Sequence, residues 1–436
     1  MTTNIRETIK KALEENNIKK IRYIFKVAKD VKTNIDLKYP RRISPLMLAR
    51  TKEMAQILVD EFGAKIDDYD IDHMNTLVYA QNDEVADFLL ERGVDFHPFM
   101  RGAKDTINPL TRVKSPKVCK ILLEKGYDVN KVNIYHESPL SNAVRDDNIE
   151  LAKLLLEHGA LITPKEADDL SNAMRYVKSV EMLKLLIENS ADVDHRNNSQ
   201  ETPLMRAVKD IELVKFLIKH GADVNAQSET GWSALMWAVN CDKVDSAREL
   251  LEHGAFVNAK NTHGQSAAHM VKSKEMIQLL KEYNANFDVR DNSGMTPAMF
   301  LTRTDNAICL NELIENGTNI LIKDKNQRDT LMLAVYNRAE KCVDLLLQHN
   351  IDVNQKDYLA RNALAYAKDY GAEIEERNIL KSLIRANIDI TTRDTQGKAM
   401  IEYLPYGLRK QVLDIKKGIE FEKDMQTLSP LPPSLR

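Results

Sequence analysis

Cysteine is scarce in this 436-residue chain, and its four copies, Cys119, Cys241, Cys309 and Cys342, are far apart. No CxxC pair occurs, so the spacing contains neither a disulfide framework nor a zinc ribbon. The four read as reduced thiols of a cytoplasmic compartment, three of them inside apolar helix patterns. Any run of about 18 apolar residues is missing too, so no membrane-spanning helix is expected. The first stretch, MTTNIRETIKKALEENN, is charged from residue 6 and lacks the apolar core of a secretory signal. Charge of one sign is also lacking: the net charge is −3, which gives no global attraction to nucleic acid, and no nucleic-acid partner is expected. The balance is uneven, however, since residues 1–50 hold thirteen Lys and Arg against five Asp and Glu.

Signatures of chemistry are absent as well. There is no HExxH, no spaced Cys/His set, no GxxxxGK[ST] and no GxGxxG opening a helix. The reading is therefore a chain without metal, cofactor or catalytic activity. Four of the ten histidines, His158, His220, His253 and His349, stand just before a recurring Gly or Asn, where a helix C-terminus favours them.

What the chain does have is a period. EFGAKID at 61, EKGYDVN at 124, KHGADVN at 219, EHGAFVN at 252 and QHNIDVN at 348 share one pattern. Its pivots, Gly63, Gly93, Gly126, Gly159, Ser190, Gly221, Gly254, Asn284, Gly317 and Asn350, recur every 30–33 residues. Gly or Asn there fits the left-handed residue just past a helix, and Ser190 fits least well. A second landmark keeps step: SPLSNAV at 138, TPLMRAV at 202, SALMWAV at 233 and TPAMFL at 296 each place Ser or Thr at a helix N-cap. Where Pro follows it, the residue sits at the first helical position. Each unit then reads helix, tight turn, helix, long loop.

This pattern resembles the ankyrin repeat family, whose T-P-L-H-x-A-A … L-L-x-x-G-A-D-V-N is nearly intact in TPLMRAVKDIELVKFLIKHGADVN, residues 202–225. The resemblance is strong over residues 41–392, as eleven units. It implies an all-α solenoid of helix–turn–helix–loop units stacked into an elongated superhelix. Residues 1–40 read as a basic N-terminal capping repeat and 393–424 as a degenerate C-terminal one. Residues 425–436 read as a flexible tail with Pro430 and Pro433 in PxxP spacing. His269 takes the structural histidine position of the family pattern. Units starting at Leu46, Leu77, Leu110, Leu204 and Ala268 are two or three residues shorter than those at Leu140, Leu235, Ala298 and Leu331, in the link between helices. That shortening is expected to change helix length or crossing.

The resemblance implies a non-catalytic scaffold that binds a partner protein on its concave face, as a cytoplasmic monomer. Two columns of residues face that side. One follows the loop glycine and includes Trp232 and Met295. The other lies two past the Leu of T-P-L and includes Trp237, Met270, Phe300, Leu333 and Tyr366. Polar and charged residues at both columns in other units predict exposure, so the apolar run reads either as a docking surface or as lateral packing between units. Arg112, Lys114, Arg145, Arg175, Arg206 and Lys209 read as a basic patch beside it, suited to an acidic and amphipathic segment, or else as ordinary solvated charges. An alternative keeps this binding chemistry in a secreted microbial effector or viral host-range protein acting on a host protein in the host cytoplasm. Low glycine with abundant Lys, Asn and Ile matches the composition of an AT-rich genome. YLPYGLRKQVLD, residues 403–414, is similar to the core of an F-box, which would make that alternative a ligase adaptor.

Overall fold

One element hardly varies along the chain. In the computed structural model nine successive outer helices, from Asp83–Glu91 to Glu340–Gln348, are each nine residues long. The third, fourth and seventh residues of every one are buried, as in Leu151, Ala152 and Leu155 or Leu213, Val214 and Leu217. That i, i+1, i+4 spacing places them on one face of a helix. Cys119, Cys309 and Cys342 occupy these inward positions, and all four cysteines are free thiols. The starts are fixed by side chains: Asn82, Ser115, Asn148, Ser179, Asp210, Ser273 and Asn306 each accept the N–H of the third helical residue. The ends are fixed by the pivots. Every described pivot is left-handed, including Ser190 at φ 69° and Asn284 at φ 60°.

The structure describes residues 2–27, 42–72, 74–94, 108–133, 135–162, 173–349, 351–369 and 374–427, which form two compact units, Met1–Asn198 and Ser199–Arg436. The pivot Asn350 and the tail with Pro430 and Pro433 lie outside the described residues. The first unit opens on a pair of helices, Thr2–Glu14 and Ile18–Val27. The second ends on one long helix, Tyr406–Thr427, to which most of the F-box-like stretch belongs. Among the described residues no β-strand forms; the long loops make only isolated bridges, such as Gln227 with Ser233. No helix among them is long and apolar enough to cross a membrane.

The inner elements vary as the sequence predicts. Three of the four full-length units build seven-residue helices, Pro139–Arg145, Ala234–Asn240 and Thr330–Tyr336, and the fourth, at Ala298, builds the five-residue helix Pro297–Leu301 followed by the 3-10 turn Thr302–Thr304. Short units build only a 3-10 turn, Leu46–Leu48, Pro109–Thr111 or Ala267–Met270, or the five-residue helix Pro203–Ala207. The cause is the link. In full units a left-handed residue, Asp147, Asp242, Asp305 or Arg338, closes the inner helix after its last turn. Short units lack it, and an extended residue such as Ser115 or Ser273 leads directly into the outer helix.

Neighbouring repeats are tied by side-chain amides. The Asn of G-A-D-V-N donates to the next pivot carbonyl and accepts the N–H two residues further on. Asn225 does so with Gly254 at 2.9 Å and Phe256 at 2.8 Å. Asn130 does the same with Gly159 and Leu161, and Asn258 with Asn284 and Asn286. These bonds satisfy groups that the helix end leaves open. The rings of His158, His220 and His253 add to this, since Nδ1 of each donates to the carbonyl four residues back at 2.7–2.9 Å.

His269 is buried, with Nδ1 accepting the Ser266 N–H at 3.1 Å and Nε2 donating to the Met295 carbonyl at 3.2 Å. The bond accepted at Nδ1 needs the neutral ring, and burial lowers its pKa below the ordinary 6.5. As pH falls the unfolded chain takes up this proton first. The ring's contribution to stability is therefore whole above the ordinary value and is lost as pH drops below it. An NMR titration should place His269 below pH 6.5; a ring titrating at or above that value would contradict the assignment.

Candidate protein-binding surface

The two columns are one structure. In five repeats of the Ser199–Arg436 unit the residue after the left-handed loop position folds back onto the residue five further along, on the inner helix. The pairing is filled in several ways. Arg206 donates to Glu201 at 3.3 Å. The rings of Trp232 and Trp237 lie 4.6 Å apart, tilted by 40°. Met295 packs in one apolar cluster with Met299 and Leu333, against which Phe300 rests. Arg361 lies 5.2 Å over the ring of Tyr366, and Lys398 3.9 Å over Tyr403.

A loop-tip residue organises the pair from four positions upstream. Asp357 accepts the N–H groups of Leu359 and Arg361 through one oxygen, and the Tyr366 hydroxyl at 2.7 Å through the other. Asp394 binds Gln396, Lys398 and Tyr403 in the same way. In the first unit Asp70 holds Met74 and Tyr79. Burial pushes the hydroxyls of Tyr79 and Tyr366 well above their ordinary range, so they remain donors. The tryptophan repeat departs from this scheme. Its loop tip is Ser228, whose hydroxyl accepts the Trp232 N–H at 3.1 Å and supplies no carboxylate. The Trp237 Nε1–H, buried at the atom, has no hydrogen-bond partner.

The loop that carries Trp232 is held in place. Thr262 donates its N–H to the Thr230 carbonyl at 3.0 Å. Gly231 is left-handed at φ 76°, and a Cβ on it would meet Asn261 Cα at 2.8 Å. Only glycine allows the two loops to pass this closely. Trp232 is thus presented from a braced tip rather than a free one.

The predicted site residues divide accordingly. Trp232, Trp237, Met270 and Phe300 are half-buried, each keeping part of its surface in water. Met295 and Leu333 do not meet the expectation of exposure: they are 7% and 3% exposed, because the cluster with Met299 takes up their surface. Tyr366 belongs to a polar cluster with Asp357 and Arg361 rather than to an apolar stripe. Exposed Arg303, whose guanidinium lies 4.3 Å over the Phe300 ring, was not anticipated.

The basic patch is corrected more strongly. Arg112 is not a surface cation. Its side chain is 13% exposed and bridges the buried Asp70, at 2.5 Å, and Asp72. Arg145 pairs with Glu137, Lys114 with Asp146 at 3.3 Å, and Arg206 with Glu201. Arg145 and Arg175 both lie over the ring of Tyr176. Lys209, in the second unit, is exposed. Local carboxylates therefore neutralise most of what the sequence shows as excess positive charge. The tyrosine–aspartate pairs could have been read in advance, since Asp70/Tyr79, Asp357/Tyr366 and Asp394/Tyr403 share a spacing of nine.

Comparison with known proteins fits this architecture. The family model for ankyrin repeats, three copies long, matches residues 170–261, 264–357 and 305–394, more than half of the chain. The chain belongs to the ankyrin repeat family. An ankyrin repeat protein of Rickettsia bellii (strain RML369-C) is 28% identical over 166 residues, covering 33% of this chain and 24% of that protein. The chain thus spans about a quarter of the length of the curated relative it matches. Among solved structures, the ankyrin repeat domain of Bcl-3 is 25% identical with a TM-score of 0.43, covering 50% of this chain and 98% of that one. The ankyrin repeat domain of human ASB11 is 22% identical with a TM-score of 0.45, covering 49% and 98%. Ankyrin repeats are typically protein–protein interaction modules and generally non-catalytic.

Proposed function

We propose that this chain is a scaffold that captures a partner protein on the surface of the Ser199–Arg436 unit centred on Trp232. The observation that carries this reading is the Trp232–Trp237 pair, with large aromatic area left half in water on a braced loop. Tryptophan at such a place is the usual anchor of an interface. Met270 and Phe300 continue the apolar surface on the following repeats. Arg303 lies beside Phe300 and makes no ion pair among the described residues. The partner is therefore an amphipathic segment with an apolar side chain for the tryptophans and an acidic one for Arg303. Four free thiols, three of them buried, suit work in a reducing cytoplasm.

Replacing Trp232 with alanine should weaken partner binding by about 2 kcal/mol or more. Stability should fall by only about 1 kcal/mol, the scale of its ring pairing with Trp237. The check is titration calorimetry with the partner recovered on the wild-type chain, alongside melting curves. Unchanged affinity per folded molecule would overturn the reading.

A further inference from the structure

In the Met1–Asn198 unit a cleft of about 460 Å³ opens where the inner elements pass into the outer helices. Arg50, Lys114, Arg145 and Lys178 line it, against a single carboxylate, Asp146. The four cations share one place in the repeats, at steps of 64, 31 and 33 residues, with Gln81 at that place in the repeat between Arg50 and Lys114, so their side chains converge from stacked links. Lys114 and Arg145 already have acidic partners in Asp146 and Glu137. Arg50 is exposed and its guanidinium has no partner among the described residues; Lys178 is exposed and meets no carboxylate among them.

The backbone carbonyls of three of these cations are already used. The Arg50 carbonyl takes the Asn82 amide at 2.8 Å, and the Lys114 carbonyl takes the Asn148 amide at 2.8 Å. The Arg145 carbonyl takes Lys178 Nζ at 2.5 Å. Two outer helices, Asp83–Glu91 and Ile149–Glu157, begin at this wall with Asn82 and Asn148 as their caps. What remains facing the cleft is a surplus of N–H donors and positive charge, with little apolar surface. The acidic residues nearby, Asp83, Glu84 and Glu150, line an adjoining cleft on the other side of Lys114. The positive field is thus confined to the Arg50–Arg145–Lys178 side.

We propose that this cleft is a binding site for a phosphoryl oxyanion. A compact group with several negatively charged acceptor oxygens satisfies the surplus donors, and guanidinium and ammonium groups favour it over a single carboxylate. Arg50 and Lys178 supply the charge, and Lys114 turns from Asp146 to share it.

Inorganic pyrophosphate is the probe, titrated calorimetrically into the full chain at low ionic strength. Arg50→Gln with Lys178→Gln removes two charges while leaving an amide at position 178 able to donate to the Arg145 carbonyl. The double variant should bind pyrophosphate roughly tenfold more weakly and show a smaller salt dependence, with an unchanged melting curve. Lys209→Gln, an exposed lysine of the other unit, should leave binding as it was. Displacement of pyrophosphate by a phosphoserine peptide, or by vesicles containing a phosphoinositide, supports the site and names the source of the group. Absence of saturable pyrophosphate binding, or equal binding by wild type and double variant, overturns it.

Discussion

Arg112→Ala should destabilise the Met1–Asn198 unit by about 3–5 kcal/mol, the range for breaking a buried ion pair from one side. The Asp70 side chain is wholly buried and depends on the Arg112 guanidinium 2.5 Å away. Asp72 and the Tyr79 hydroxyl contact the same guanidinium, the hydroxyl at 2.7 Å. Without it, two carboxylates face each other with only N–H groups and a hydroxyl for compensation. Asp70 still accepts from Asp72 and Met74, which places the result toward the lower end. Denaturation of the full chain need not be two-state in a repeat protein, so hydrogen exchange across residues 74–94 and 108–124 should be followed as well. A loss below about 1 kcal/mol would mean that the pair is solvated and the burial argument fails. The same geometry rules out Arg112→Glu as a probe of electrostatic steering, since the substitution would place a third carboxylate beside two others.

Arg112 also marks where sequence reasoning reached its limit. Repeat landmarks are local, and they were legible because each residue answers to its own helix. Ser138 caps, Pro139 opens, and Gly159 closes, whatever the neighbouring repeat contains. Link length was legible for the same reason: a missing left-handed residue shortens the inner helix wherever it occurs. The charge of Arg112 is a different matter, because its partners lie 40 and 42 residues upstream in the preceding repeat. Counting cations along the inner elements sees Arg112, Arg145 and Arg206 and misses Asp70, Glu137 and Glu201. The apolar column failed in part for a related reason. Leu333 and Met295 were compared with Arg and Asn at equivalent places, and those polar residues are themselves folded onto loop partners. Tolerance of a polar residue at one repeat therefore did not imply exposure at the next.

The tryptophan pair can be separated by two substitutions at position 237. Trp237→Ala should cost about 3 kcal/mol, the low end for a large aromatic in a core, because the ring is half-buried between its own helix and Trp232. Trp237→Phe should cost less than about 1 kcal/mol. It gives up some packing volume but also removes a buried N–H without a partner, which itself costs about 1–3 kcal/mol. Equal losses from the two substitutions would mean that the indole N–H is hydrogen-bonded in the free protein, and that Ser228 does not leave it open. Binding gives the complementary result. A partner whose acceptor reaches Nε1 once Trp232 shifts would bind Trp237→Phe about tenfold more weakly, since the phenylalanine packs but cannot donate. If Trp237→Phe binds as well as wild type while Trp232→Ala does not, Trp237 serves as the platform under Trp232, and the loop tryptophan alone touches the partner.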